Sequence, residues 1–87
     1  MTQQEIREAM ERYASSYLRM SEGDAAEHFA KLAGWCKEAG PGHEIRNKLG
    51  NRKDGTLTIF TGVFDKDGKQ VGEWLNDSWL CPPFCRA

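Results

Sequence analysis

The side chains best suited to chemistry in this sequence are its three cysteines and two histidines: Cys36, Cys81, Cys85, His28 and His43. Thiolate and neutral imidazole are the usual ligands of tetrahedral zinc. Cys81 and Cys85, joined by Cys36 and His43 from the far end of a predicted helix, make one four-ligand set, with His28 as the substitute for His43. The Cys-x-x-x-Cys spacing is wider than the usual two-residue zinc spacing, and Pro82 and Pro83 stiffen the chelate loop. The same atoms allow two other outcomes. Cys81 and Cys85 can close a disulfide, and Cys36 can serve as a small hydrophobe on a buried helical stripe. A cysteine nucleophile needs an imidazole within hydrogen-bond reach. His28 precedes Cys36 by eight residues, roughly 12 Å along a helix, so only His43 remains as a base. Asp54, Glu73 and Asp77 are scattered and form no acid–base pair.

Asp65, Asp67 and Gly68 resemble the opening of a calcium loop. Lys69 and Val71 stand where further oxygen ligands belong, however, and Glu73 comes too early to close a twelve-residue loop. No glycine pattern makes a phosphate cradle. With catalytic sets absent, the aromatic side chains carry more weight, including three tryptophans in 87 residues. Tryptophan buries a large area at low entropy cost and keeps a polar handle, which suits protein interfaces. Trp35 falls beside a helical stripe. Trp74, with Ile59 and Val63, falls on one face of a predicted hairpin, and Trp79 lies in an apolar tail; these five are the candidate interface residues.

These side chains must be positioned by a few elements. Thr2 followed by Glu5 is a capping box, and Ile6, Met10, Tyr13, Tyr17 and Met20 recur at helical spacing, so a first helix is predicted over about 3–20. Ser21 and Asp24 start a second over about 22–39, whose stripe is Ala25, Phe29, Leu32, Ala33 and Cys36, ended by Gly40, Pro41 and Gly42. From His43 to Gly55 the residues are polar, and Ile45 and Leu49 allow a single helical turn inside a loop. Arg46, Lys48, Arg52 and Lys53, offset by Glu44 and Asp54, leave that stretch at a local charge of about +2, which reads as a solvated loop. Strands follow over 56–64 and 70–75, joined by a two-residue Asp67-Gly68 turn. That turn sets Phe64 opposite Val71 and Phe60 opposite Leu75, so one face carries Phe60, Phe64, Val71 and Leu75. The other carries Leu57, Ile59, Thr61, Val63 and Trp74. The tail over 79–85 is apolar, and its prolines oppose ladder pairing.

The expected architecture is therefore a single α+β domain over 1–87, in which two N-terminal antiparallel helices pack on a C-terminal β-hairpin or small antiparallel sheet. Both sheet faces are apolar and the helices cover only one, so the second requires the tail or another molecule. A net charge of −1 offers no electrostatic footprint for nucleic acid and no basic membrane face. No window is long and apolar enough to span a bilayer, and no signal-like start precedes the first helix. An odd number of cysteines fits a reducing, cytoplasmic location. The leading expectation is a non-enzymatic protein-binding module without a cofactor. It would act as a compact inhibitor or adaptor on a larger complex, of the kind phages direct at bacterial defence or host machinery, with homodimer formation as an option. The alternative is a zinc-stabilised domain built on Cys36, His43, Cys81 and Cys85.

Overall fold

A computed structural model describes residues 1–12 and 15–85. In chain order the elements are helix α1 (Gln3–Glu11), strand β1 (Tyr17–Arg19), helix α2 (Glu22–Ala39), and strands β2 (Glu44–Asn51), β3 (Leu57–Phe64), β4 (Gln70–Leu75) and β5 (Trp79–Cys81). The strands form two antiparallel sheets, β2-β3-β4 and β1-β5. The expectation of two N-terminal helices on a C-terminal hairpin is thus corrected. The helix that packs along the main sheet is α2, against β3 and β4. A strand stands between the helices, and the remaining strands occupy the middle and end of the chain.

α1 begins as the capping box requires. The Thr2 hydroxyl accepts from the Glu5 amide at 3.1 Å while the Glu5 carboxylate accepts from the Thr2 amide at 2.8 Å. It ends nine residues early, because Ser15 and Ser16 are weak helix formers and the tyrosine and leucine after them suit a strand. Tyr17 and Leu18 pair with Cys81 and Leu80. Of the predicted apolar stripe, Tyr13 lies outside the described residues, Tyr17 belongs to β1, and Met20 follows it. No residue of α1 is buried, and Met10 is 61% exposed.

The backbone N–H of Thr2 and, after it, the Thr2 hydroxyl hold the Glu5 carboxyl below its ordinary value of 4.5. Because the folded value is the lower one, the contact supports the helix above that pH and is lost as acidification passes through the lowered value. Nuclear magnetic resonance should accordingly show the amides of residues 3–11 moving toward coil shifts below pH 4.5, with Glu5→Gln abolishing the transition. A pH-independent α1 would contradict this account.

α2 is capped by Ser21, whose hydroxyl accepts from the Asp24 amide. Its inward stripe is Ala25, His28, Leu32, Trp35 with Cys36, and Ala39, one position around from the predicted one; Phe29 and Ala33 face outward, Phe29 at 58% exposure. Two tertiary contacts explain the rotation. The buried His28 places Nδ1 3.0 Å from an Asp77 carboxylate oxygen, and the Trp35 indole lies against the backbone of Gly72.

β2 replaces the predicted loop. All eight of its residues pair with β3, from Glu44 opposite Phe64 to Asn51 opposite Leu57. The four-residue spacing of Ile45 and Leu49 satisfies a strand's period of two as well as a helix's period of 3.6, so it could not discriminate between them. Lys53-Asp54-Gly55 and Lys66-Asp67-Gly68 are the same tripeptide, and they make the same turn. In each the glycine amide donates back three residues (Gly55 to Arg52, Gly68 to Asp65), and the strands close around a three-residue loop with glycine φ of 86° and 82°. The Asp65 carboxylate reinforces the second turn by accepting from the amides of Asp67 and Lys69.

This longer loop corrects the predicted register. Phe64 faces Gln70 and Val63 faces Val71, and a bulge then brings Leu75 opposite Thr61. A one-residue change of register exchanges the faces of a strand. Val71 and Leu75 therefore share a face with Val63, while Trp74 joins Phe64, with ring centroids 5.6 Å apart. In the tail the prolines do not prevent pairing, because β5 ends at Cys81, immediately before Pro82.

The core is small and half polar. Among the described residues the buried hydrophobic side chains are Val63, Phe64, Leu75 and Cys81, and the buried polar ones are His28, Thr58, Thr61 and Ser78. Thr61 donates to the Asn47 side-chain oxygen at 2.8 Å. Thr58 ties the tail to the sheet: its hydroxyl donates to the Ser78 carbonyl at 3.0 Å and accepts from the Asn76 amide at 2.9 Å.

Candidate protein-binding surface

Two patches gather exposed aromatic side chains. The first lies on the main sheet beside the open edge of β2. Lys48, Leu49, Phe60 and Trp74 line a hollow of about 330 Å³. The strand pattern puts them there: Phe60, Gly62 and Phe64 alternate onto one face of β3. Gly62 leaves room for the Trp74 ring, since a Cβ there would come within 2.9 Å of it. Cations cover the aromatic rings. The Arg46 guanidinium sits 4.0 Å from the centre of Phe64 while pairing with Glu44, and the Lys48 ammonium lies 5.9 Å from the centre of Trp74. Such arrangements hold cations over apolar surface without desolvating them fully. Leu49 is 71% exposed and Trp74 39%.

The second patch is built by the tail. Trp79 packs edge-on against Phe84, and the Arg52 guanidinium lies 3.8 Å above the Trp79 ring while donating to the Ser78 carbonyl at 2.6 Å. With Arg19, Pro83 and Cys85 these aromatic rings line a groove of about 510 Å³. The chain turns here through the cis bonds at Cys81-Pro82 and Pro82-Pro83, and a disulfide joins Cys81 to Cys85.

The five candidate interface residues are therefore dispersed. Trp74 and Trp79 are partly exposed, on different patches, and Ile59 is half-buried. Val63 has no exposed surface and belongs to the core, and Trp35 is half-buried against Gly72. The four zinc candidates are not assembled. Cys81 and Cys85 are bonded to each other, Cys36 is a half-buried free thiol on α2, and the His43 imidazole donates to the Gly40 carbonyl at 2.7 Å. Of the pairings considered for the cysteines, the structure forms the disulfide. His28, the substitute ligand, is taken by Asp77. Among the described residues no three His, Cys, Asp or Glu side chains gather into a metal-sized cluster. No helix among them is long and apolar enough to cross a membrane.

Sequence reasoning missed Lys48, Leu49 and Phe60 as neighbours of Trp74, because 43–55 read as a loop. The repeated Lys-Asp-Gly was the available signal, since two copies imply two hairpins and hence a strand before the first. No family model matches this chain, and no curated protein or solved structure does either, so the reading of its function rests on its own residues.

Proposed function

We propose that this chain is a non-enzymatic protein-binding module, acting as an inhibitor or adaptor on a larger protein. The observation that carries this reading is surplus surface. The chain exposes 6569 Å², whereas a compact monomer of its mass would expose about 5,200 Å². Its radius of gyration of 15.0 Å likewise exceeds the roughly 12 Å expected for its length. The excess is about 1,400 Å², to which α1, with no buried residue, also contributes. Large apolar side chains account for part of it: Met10, Tyr17, Phe29, Ile45, Leu49, Trp74, Trp79 and Phe84 are all exposed. A phage-type inhibitor of bacterial defence or host machinery is one role that a small body with so much uncovered apolar surface would fit. The odd cysteine count supports a cytoplasmic location, and the Cys81–Cys85 bridge weighs against it.

The test uses two baits, wild type and Trp74→Ala, with any protein captured by the first then purified and rebound by calorimetry. The reading expects equimolar binding to wild type and at least a ten-fold loss for Trp74→Ala, whose circular dichroism and melting midpoint stay near wild type. Equal binding of both baits would remove the sheet patch from the interface. A Trp74→Ala chain that does not fold would make Trp74 part of the core, and the argument from it would fail.

A further inference from the structure

Resting on the protein-binding reading, we infer that the open edge of β2 accepts an extended segment of a partner protein in which carboxylate and apolar side chains alternate. Among the described residues strand β2 is paired on one side only, with β3, and seven of its eight residues are exposed. An unpaired edge of this length offers a row of backbone donors and acceptors to an incoming strand. Its side chains state what that strand should carry. One face of β2 presents Ile45 and Leu49, 44% and 71% exposed. The opposite face presents Glu44, Arg46 and Lys48; Arg46 is paired with Glu44, and among the described residues Lys48 has no carboxylate partner. A neighbouring strand places every second side chain on each face, so alternating acidic and apolar residues meet both rows at once. On the cationic face the side-chain nitrogen of Gln70 is buried without an acceptor, and Phe60 and Trp74 floor the hollow beside Lys48.

In the register that joins its apolar positions Ile45 and Leu49, a second copy of this chain fits the edge poorly. Antiparallel self-pairing that brings Ile45 opposite Leu49 of the other copy also brings Arg46 opposite its Lys48, and like charges directly across a ladder are unfavourable. Lysine on an edge strand is a common guard against such self-pairing. It is no obstacle to an acidic strand.

The probe is a synthetic peptide of eight residues alternating valine with glutamate, compared with one alternating valine with lysine and with a block peptide of the same valine and glutamate content. Amide shifts of the whole chain are followed by nuclear magnetic resonance. The inference expects saturable shifts centred on residues 44–51 with the alternating acidic peptide, and at least ten-fold weaker binding of the other two. A comparable loss is expected for Lys48→Glu, and none for Arg7→Glu, the same change of charge on the exposed face of α1. Equal binding of the acidic and block peptides would reduce the effect to bulk charge, and shifts centred on Trp79 and Phe84 would move the site to the tail groove. Either result overturns the inference, as does no binding at all. A concentration-dependent dimer in sedimentation, lost in Leu49→Lys, overturns it in favour of a second copy. A partner that binds wild type but not Trp74→Ala would leave the protein-binding reading standing even if the peptides failed.

Discussion

Replacing Gly72 with alanine is expected to destabilise the domain by about 3 kcal/mol and to lower its melting midpoint by more than about 10 °C. Two independent costs add at this position. The backbone of Gly72 has a φ of 83°, where a side chain costs roughly 1 kcal/mol or more. A Cβ would also lie 2.2 Å from the Trp35 ring, so the ring or the backbone must shift. Chemical denaturation of Gly72→Ala, Trp35→Ala and the double variant separates the two. With the indole removed, Gly72→Ala should cost only the backbone component, about 1 kcal/mol, giving a coupling of about 2 kcal/mol between the sites. Additive effects would mean that the indole does not hold α2 against the bulge in β4.

Thr58→Val should cost about 2 kcal/mol, although the two side chains have nearly the same shape. Thr58 is fully buried, and its hydroxyl serves two neighbours at once, the Ser78 carbonyl and the Asn76 amide. Each neighbour keeps one other bond: Ser78 from Arg52, and Asn76 to the Ile59 carbonyl. The loss is therefore smaller than that of a fully orphaned pair, but it falls on the attachment of the tail. Hydrogen exchange should show earlier opening of Trp79–Cys81 with little change in β2. Uniform loss of protection across both sheets would instead make Thr58 an ordinary core residue.

These two sites show why the aromatic candidates were only partly legible. Trp35 and Trp74 are similar residues at similar distances from apolar neighbours along the chain. Trp35 is half-buried because the bulge brings Gly72 beneath it, while Trp74 stays 39% exposed because the three-residue turn and the bulge together set it on the face of Phe64. A two-residue turn would have placed it with Ile59 and Val63, which was the expectation. The polar composition of 44–51 similarly concealed the strand whose edge now carries the proposed binding site, and the +2 of local charge read there as loop solvation lies partly on that strand.

By itself the sequence determined what depends on neighbours along the chain: the capping box at Thr2 and Glu5, the cap at Ser21, the β-branched run of β3 and the position, though not the three-residue length, of the turn at Asp67-Gly68. Local hydrogen bonds and steric preferences decide these within a few residues, so no distant partner is needed to read them. Tertiary structure decided where α1 stops, which side of α2 turns inward, that a polar segment becomes β2, and how the tail pairs with β1. Each of those outcomes depends on a residue far away in sequence: Cys81 for Tyr17, Asp77 for His28, Gly72 for Trp35, and β3 for every residue of β2. Backbone pairing asks little of side-chain type, so a polar strand beside an apolar one can form wherever the sheet offers it an edge.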